Sequence, residues 1–572
     1  MSLCLDVLGI GWGLPARWHP DEKADVAAEM ARSAHLRPDS FVNPSLPLYL
    51  MVPPIALQER LARAGLVSGR AADPLLLARA LAALAGAAAV WILGRAVGRA
   101  HPTCGLLAAL LLALSPGFVN LCHFATPEPW LMLGVGATLA LAVAHLQGRA
   151  PAWALGLVLG LTVSTKYTAI ALVVPALAAV WLRQRDDDAP RGTGLAAAGA
   201  AALALGAVLA VTGVPLAGRL HLKDARLLLP EHALGFVRSL ERGALAAGAA
   251  AMVVGLLARS GRAWAIRIAR RQALVVIGAA FAGFLLGTPY AAIDPIAFLS
   301  DLAFDHQTRF EYKGLTGAPT SFGPYLLLFV AAMTAPLLAA AAAGAVVAVA
   351  RALRGDGASV VALTATLAPY LLVAASGHQA LRFLAPAFPA AAWLAALGLA
   401  ALPARRARAA AVVFVVLRLA LGSALVVRLF FVDSRIAAAR WLEAHVPPGA
   451  TVDLIANNPG YAPTVPPDRA LRVVPTLSRE MAPADRFREA AARYPAEAAD
   501  WLILTASYYE RFLDHPEQRP ERAAFFRDLL EGRAGFEVAA RFRQEGWRRP
   551  EAEFLDPEIV VLRKSVSSRS GR

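Results

Sequence analysis

The tetrad His19-Pro20-Asp21-Glu22 places two adjacent carboxylates directly after a short apolar segment, residues 1–15. Because a carboxylate is costly inside the hydrocarbon of a membrane, acids beside an apolar segment are expected at its watery end, where they are candidates for a functional role. A plain helix start is the alternative interpretation, since proline suits a first helical turn and acids favour that end of the helix dipole. The tetrad by itself leaves both interpretations open.

Two further charged residues interrupt apolar sequence. Glu128 is flanked by prolines at the start of an apolar run, where an ordinary N-terminal position in a helix would also explain it. Lys166 is harder to explain as a structural residue, because it lies between two apolar half-spans, 153–165 and 168–182. A lysine in that place has to reach water or meet an anion, and the exposed amides of a broken helix would strengthen an anion site.

His378 and Arg382 lie in a short turn just before another apolar run. One arginine in such a turn is usually an interfacial anchor, but several cations facing a carboxylate indicate a phosphate group. Transfer of a sugar from a polyprenyl phosphate fits this arrangement, because a carboxylate takes the proton of the acceptor hydroxyl and cations stabilise the departing phosphate. A glycosidase would need a second carboxylate on the leaving-group side, so that class fits less well.

The elements that position these residues are mostly membrane spans. With 58% hydrophobic and 17% charged residues among 572, the composition is that of a polytopic membrane protein and excludes a soluble one. Apolar runs of roughly 20 residues predict about 11–13 transmembrane helices. Besides the broken pair around Lys166, the spans are expected near 75–97, 103–121, 129–146, 194–214, 244–259, 273–290, 324–350, 357–376, 383–402 and 409–431.

Arginine is concentrated in alternate short loops, such as 183–185, 259–271 and 405–408. This is the positive-inside pattern, so the net charge of +15 indicates orientation in a membrane rather than nucleic-acid binding. With those loops in the cytoplasm, the first external loop 17–74 and everything after residue 432 lie outside. The alternation then gathers the charged candidates on the external face: Asp21, Glu22, Glu128, Lys166, His306, Arg309, His378 and Arg382.

After residue 432 the composition changes to that of a soluble domain. Strands are expected at 451–456, 471–475, 501–505, 536–541 and 559–562, and helices near 434–446, 483–494 and 519–532. The predicted organisation is therefore a transmembrane domain (1–432), a small extracytoplasmic α/β domain (433–564) and a disordered tail (565–572). The first apolar segment is shorter than a span, so we expect the true start of the chain to lie upstream.

An ordered series of short motifs runs through roughly residues 1–435. It consists of Gly11 to Pro15 with His19 to Glu22, Asn43 to Pro47, Arg79, Phe124 to Glu128, Gly160 to Tyr167, Thr288 to Tyr290 with Asp294-Pro295, and Arg382 to Pro386. With this series the chain resembles GT-C fold glycosyltransferases of the dolichyl-phosphate-mannose protein mannosyltransferase and aminoarabinose transferase group, that is, glycosyltransferase family 39-like proteins. Each motif is weak alone, but their order is fairly specific.

The resemblance implies inverting transfer of a hexosyl or pentosyl group from a polyprenyl-phosphate-linked donor, on the extracytoplasmic face of the cell (inner) membrane. It implies Asp21 as the catalytic base and Glu128 as the second acidic position. If Asp21 is not the base, Glu22 or Glu128 is the next candidate. Lys166, His378 and Arg382 would lie near the donor phosphate. The remaining candidates for substrate binding are His19, Arg79, Tyr167, His306 and Arg309.

The family more often has an aspartate where Glu128 stands, so a role for a divalent metal is left open. The acceptor is left open as well, because this scaffold serves lipids, glycans and proteins. The alternative function is a multi-spanning lipid or polysaccharide transporter, whose polar residues would lie near the bilayer midplane in paired broken helices. Here the charged residues cluster at outer helix ends, which favours the enzyme.

Overall fold

A computed structural model describes residues 1–33, 35–183, 192–221, 228, 230–259, 271–307, 320–479, 482–543 and 551–565. The described chain forms two compact units. The first contains residues 1–7, 23–307 and 320–423, and the second contains residues 8–22 and 424–565. The segment with the acidic tetrad therefore belongs to the same unit as the C-terminal residues. The predicted division after residue 432 instead places this segment in the transmembrane domain.

The first unit is helical. Its short 3₁₀ helices are Gly69–Ala72, Tyr167–Leu172 and Leu381–Ala387. Its α-helices are Ser2–Val7, Ala24–Ser33, Leu46–Arg63, Pro74–Ala100, Gly105–Ala113, Pro116–Cys122, Pro127–Leu146, Ala152–Val163, Val173–Leu182, Gly192–Arg219, Pro230–Arg259, Arg271–Gly287, Tyr290–Ile293, Pro295–Gln307, Phe322–Met333, Ala335–Ala352, Gly357–Ala374, Phe388–Ala400 and Arg405–Val432, the last of which continues into the second unit.

Eight helices in the described ranges are long and apolar enough to cross a membrane, or nine if the bent pair Gly105–Ala113 and Pro116–Cys122 counts as one span. Four shorter apolar helices accompany them. Large apolar side chains remain exposed along these helices, as expected where hydrocarbon replaces water; Trp91 is 65% exposed and Val211 is 81% exposed. The predicted fold class, a polytopic helical membrane protein with a C-terminal α/β domain, is confirmed.

Two spans differ from the prediction of a single helix. The span predicted at 103–121 is a pair of helices bent by 66°, because Pro116 begins the second helix and cannot donate a backbone hydrogen bond to the first. The span predicted at 324–350 breaks at Thr334, whose φ of 66° lies in the left-handed region, and Pro336 stands in the first turn of the helix that follows.

The second unit contains a five-stranded sheet of β1 (Thr451–Ile455), β2 (Ala470–Val473), β3 (Trp501–Thr505), β4 (Phe536–Phe542) and β5 (Ile559–Lys564). The strand order is β2-β1-β3-β5-β4; β1 is parallel to β2 and β3, and β5 is antiparallel to β3 and β4. All five predicted strands are found. The helices are Ser434–His445, Pro475–Ser478, Ala484–Glu497, Ala506–Asp514 and Pro520–Leu530, with a 3₁₀ turn at Pro459–Tyr461.

Strand β3 is buried on both faces of this sheet. Leu502 and Leu504 pack in one hydrophobic cluster with the helices that follow β2 and β3. Trp501 and Ile503 pack in a second cluster with helix Ser434–His445. The alternation follows from the two-residue period of a strand, and a central strand that is covered on both faces reads as a continuous apolar run.

Candidate functional site

Lys166 lies where a helix is interrupted, as the sequence predicted. Helix Ala152–Val163 ends before it and the 3₁₀ helix Tyr167–Leu172 begins after it, while Lys166 itself has extended backbone. The hydroxyl of Ser164 donates to the Phe284 carbonyl at 2.8 Å. A neighbouring helix thus holds the interruption in place, so the lysine is fixed at a defined break rather than on a continuous helix face.

Glu128 meets Lys166 at this break. The carboxylate stands in the first turn of helix Pro127–Leu146, and the Lys166 ammonium donates a hydrogen bond to it. Both residues are buried, with 2% of Glu128 and 6% of Lys166 exposed. Each charge offsets the desolvation of the other, because an unpaired buried charge is strongly unfavourable. Glu128 is therefore the anion that this lysine meets within the chain itself.

Phe383 brings two further predicted residues to the same place. The Lys166 Nζ atom lies 5.0 Å from the centroid of the Phe383 ring, and the Arg382 guanidinium carbon lies 5.4 Å from the same centroid. The His378 and Phe383 rings form a T-shaped contact with 5.0 Å between their centroids. A cation near an aromatic face is attracted by the ring quadrupole. Glu128, Lys166, His378, Arg382 and Phe383 together are named the Phe383 cluster below.

The Phe383 cluster has more basic than acidic side chains, because it contains one carboxylate, Glu128, beside Lys166 and Arg382. Arg382 is half-buried, and its charge interacts with that of Glu128. Lysine and arginine are the residues that proteins use to bind phosphate oxygens. Within the described residues, no group of three or more His, Cys, Asp or Glu side chains is placed to hold a metal ion.

The loop between helices Ala24–Ser33 and Leu46–Arg63 is anchored beside the break. The Tyr167 hydroxyl donates to the Phe41 carbonyl at 2.8 Å, and the Phe41 amide donates to the Asp301 carboxylate at 2.7 Å. The Leu46 amide donates to the Ser164 carbonyl at 3.1 Å. Tyr167, a predicted substrate-binding residue, thus holds loop backbone. Sequence reasoning missed Asp301, although an acid buried in a mostly apolar helix was a signal for it.

Three other predicted residues are not assigned to the Phe383 cluster. Arg79 is buried in helix Pro74–Ala100, with 1% of it exposed. The His306 and Phe236 rings form a T-shaped contact with 5.7 Å between their centroids. Arg309 lies outside the described residues.

The acidic tetrad is a turn in the second unit. The Asp21 amide donates to Nδ1 of His19 at 3.1 Å, and the His19 ring lies 4.2 Å from the Phe554 ring. Because Nδ1 accepts this hydrogen bond, the neutral imidazole carries its proton on Nε2. Asp21 and Glu22 are half-buried, and helix Ala24–Ser33 begins only after them. The alternative interpretation of the tetrad as the first turn of a helix is therefore wrong.

Residues 65–212 match the family described as dolichyl-phosphate-mannose-protein mannosyltransferase. The matching segment includes Arg79, Glu128 and Lys166. It confirms the predicted resemblance to this group of membrane glycosyltransferases. A comparison with curated proteins gave no match.

Two solved structures are similar over most of the chain. The archaeal oligosaccharyltransferase AglB from Archaeoglobus fulgidus, in complex with an inhibitory peptide and a dolichol-phosphate, is 15% identical with a TM-score of 0.48, over 91% of this chain and 71% of that one. ArnT from Cupriavidus metallidurans, bound to undecaprenyl phosphate, is 14% identical with a TM-score of 0.43, over 98% and 96%. Both scores are below 0.5, so the description of the fold rests on the chain's own helices and sheet.

Proposed function

We propose that this protein is a membrane glycosyltransferase that moves a sugar from a polyprenyl-phosphate-linked donor to an acceptor hydroxyl. The observation that carries the proposal is the buried Lys166–Glu128 pair beside Arg382. An ammonium group has three N–H donors, and among the described residues Glu128 is the hydrogen-bond acceptor recorded for Lys166. Lys166 therefore keeps donors for an incoming anion. The family match over residues 65–212 supports the same class of enzyme.

In the proposed reaction, Lys166 and Arg382 bind the phosphate of the donor. The acceptor oxygen attacks C1 of the sugar, and the bond between C1 and the phosphate oxygen breaks with its electron pair on the phosphate. Negative charge on that oxygen grows as the bond breaks, so the two cations stabilise the transition state more than the bound donor. Asp21 takes the proton of the acceptor hydroxyl. One displacement inverts the configuration at C1.

Glu128 has a different role from Asp21 in this proposal. Its carboxylate is buried and paired with Lys166, so it orients the lysine side chain before the donor arrives. An oriented ammonium can meet the phosphate without first searching for its position. Glu128 is thus assigned as a positioning residue for the phosphate site.

The proposal is tested with the purified full chain in detergent and a panel of hexosyl and pentosyl polyprenyl phosphates. Lys166→Met and Arg382→Gln should each weaken donor binding and lower transfer, by on the order of 10-fold or more each, because each removes a charge that meets the phosphate. Arg95→Gln is the matched control, since Arg95 is an exposed cation in helix Pro74–Ala100. Wild-type donor affinity in both cluster variants would refute the phosphate site. Polyprenyl-phosphate binding without transfer of any sugar would refute the enzyme.

The active face is a separate part of the proposal. We place the reaction on the extracytoplasmic side of the cell (inner) membrane, because arginine is concentrated in the alternate loops, including 405–408. Single cysteines introduced in that loop should react with a membrane-impermeant reagent only in inverted vesicles. Cysteines introduced after residue 435 should react in intact cells. The opposite labelling pattern would place the second unit in the cytoplasm.

A further inference from the structure

The hydroxyl of Thr288 belongs to a small buried hydrogen-bond network beside the break at Lys166. Its Oγ1 donates to Oγ of Ser164 at 3.2 Å, and Ser164 Oγ donates in turn to the Phe284 carbonyl at 2.8 Å. The Thr288 amide donates to the same carbonyl at 2.8 Å. Thr288 and Ser164 are each 0% exposed. The three residues therefore form a closed ring of hydrogen bonds, and a buried polar network that is fully satisfied is rigid.

The network joins two helix ends that pack directly on each other. Helix Ala152–Val163 ends just before Ser164, and helix Arg271–Gly287 ends just before Thr288. At Gly287 a Cβ would lie 2.5 Å from the Ser164 Cβ and 2.8 Å from its Oγ. A side chain at this position would force the two helix ends apart, so the glycine allows the approach that brings the two hydroxyls together.

Ser164 is also held through its backbone. A carbonyl at the C-terminal end of a helix has no partner within the helix, and here the Leu46 amide donates to the Ser164 carbonyl at 3.1 Å. The Ser164 amide donates to the Gly160 carbonyl at 3.0 Å, so it completes the last helical turn. The amide, the carbonyl and the hydroxyl of this one residue are all engaged, which fixes the point at which the helix ends.

The direction of the Lys166 side chain depends on that end point. Lys166 follows two residues after Ser164 and has extended backbone, with a φ of −159° and a ψ of 133°. Successive side chains on an α-helix point about 100° apart around the helix axis. A helix that ended one residue later would therefore aim the lysine at different neighbours. With the observed end, the ammonium meets the Glu128 carboxylate and lies near the Phe383 ring.

We infer that Thr288 is a positioning residue of the phosphate site and acts on Lys166 through the hydroxyl of Ser164. The inference rests on the proposed function, because it concerns the lysine that binds the donor phosphate there. Loss of the Thr288 hydroxyl would loosen the helix end, so that a smaller fraction of molecules would present the ammonium to the donor. The apparent dissociation constant of the donor rises as that fraction falls.

The test compares Thr288→Val with Thr288→Ser in the purified full chain in detergent, with a polyprenyl phosphate as the binding probe and its sugar-linked forms as donors for transfer. Valine has the shape of threonine without the hydroxyl, whereas serine keeps the hydroxyl and loses a methyl group. Thr288→Val should weaken binding of the probe by on the order of 10-fold and raise the KM for the donor, with kcat close to wild type at saturating donor. Thr288→Ser should bind the probe within about twofold of wild type, because its hydroxyl can make the same hydrogen bond.

Two comparisons separate positioning from stability. Ser423→Ala removes another buried hydroxyl, whose Oγ donates to the Leu114 carbonyl at 2.7 Å, and it should leave the KM for the donor unchanged. If Thr288 served stability alone, Thr288→Val would lower the amount of folded enzyme and leave the KM of the remainder at the wild-type value. That result would overturn the inference. An equal loss of affinity in Thr288→Ser would overturn it as well, because the effect would then belong to the packing of the methyl group.

The double variant Lys166→Met with Thr288→Val distinguishes this inference from the proposed function. If Thr288 acts through the lysine, Thr288→Val should cause no further loss of polyprenyl-phosphate affinity once the ammonium is gone. Additive losses would overturn the positioning role and leave the phosphate site standing. Wild-type affinity in Lys166→Met itself would instead refute the phosphate site and, with it, the role of Thr288.

Discussion

Replacing Lys166 by Met should destabilise the helical unit, because the charge of Glu128 would stay behind in a buried position. The two side chains are only 8% and 3% exposed, so water cannot solvate the remaining carboxylate without opening the structure. Removing one partner of a buried ion pair costs about 3–5 kcal/mol in the free energy of unfolding. Glu128→Gln should also destabilise the unit, since it removes the negative charge and leaves the buried ammonium with an amide oxygen and the Phe383 ring as neutral partners.

The double variant Lys166→Met with Glu128→Gln should recover most of that loss. Neither residue then carries a charge, and replacement of a buried ion pair by neutral side chains of similar size is often close to neutral for stability. The coupling energy of the double-mutant cycle is therefore expected at about 3 kcal/mol or more. Donor binding should not recover, because the ammonium that meets the phosphate is still missing. The double variant is thus expected to regain stability without regaining donor binding.

The assay is thermal unfolding of the purified chain in detergent, run beside a binding measurement with a polyprenyl phosphate. Arg95→Met is the control for loss of a cation from an exposed helix position and should leave both measurements unchanged. If Lys166→Met unfolds at the wild-type temperature, the carboxylate is not trapped by burial. If the double variant is less stable than either single variant, the two residues are not coupled as a pair. Either result would refute the reasoning.

Three further predictions follow from other parts of the chain. Asp21→Asn should lower turnover by on the order of 100-fold or more while the lipid donor still binds; near-normal transfer in a purified assay would assign the base elsewhere. Gly160→Val should lower the unfolding temperature, because a Cβ at this position would clash with the Ala280 carbonyl oxygen of the neighbouring helix. Such overpacking costs about 1–3 kcal/mol in the free energy of unfolding. A variant as stable as wild type would contradict the close contact between the two helices. The hydrogen bond from His101 holds the pKa of Asp356 well below its usual range. The ionised Asp356 therefore stabilises the fold above the ordinary carboxyl pKa, and this stabilisation is lost as the pH falls towards the lowered pKa. Asp356→Asn should unfold at a lower temperature than wild type at neutral pH, and the difference between the two unfolding temperatures should narrow on acidification.

The sequence predicted the break at Lys166 because a charge within an apolar run has few physical solutions. It has to reach water, meet an anion or interrupt the helix, and here it meets Glu128 at an interruption. The role of Phe383 could not be predicted in the same way. A phenylalanine before an apolar span looks like every other apolar residue of the span, and only the fold brings its ring to 5.0 Å from the lysine.

Strand positions in the second unit were predictable because the signal is local. Strand β3, for example, is a run of five apolar or β-branched residues, and it is found at Trp501–Thr505 as expected. The breaks before Pro116 and at Thr334 were missed although a proline stands next to each, because total hydropathy conceals a proline inside a long apolar run.

The grouping of the segment 8–22 with the C-terminal residues was beyond any local pattern. It depends on contacts such as the one between the indole of Trp12 and Asp433, which are 421 residues apart in sequence. Periodicity and composition inform about neighbours along the chain and say nothing about pairs at that separation. A tryptophan on each side of a glycine-containing turn was the available signal, since Trp12 and Trp18 are too large to be left in water without a partner.

Two of the buried cations among the described residues, Arg435 and Lys166, show how a structural charge differs from one that is available to a ligand. Arg435 has an acceptor for each of its five N–H groups and an indole ring on each side, so no ligand atom can approach it without displacing the chain. Lys166 has one recorded acceptor among the described residues for three N–H groups, and an aromatic ring that attracts its charge without using a donor. Burial and charge are alike in both, and only the count of satisfied donors separates them. That difference is why we propose Lys166 as a ligand of the donor phosphate, while Arg435 holds the backbone of Trp18 and Gly460 together within the second unit.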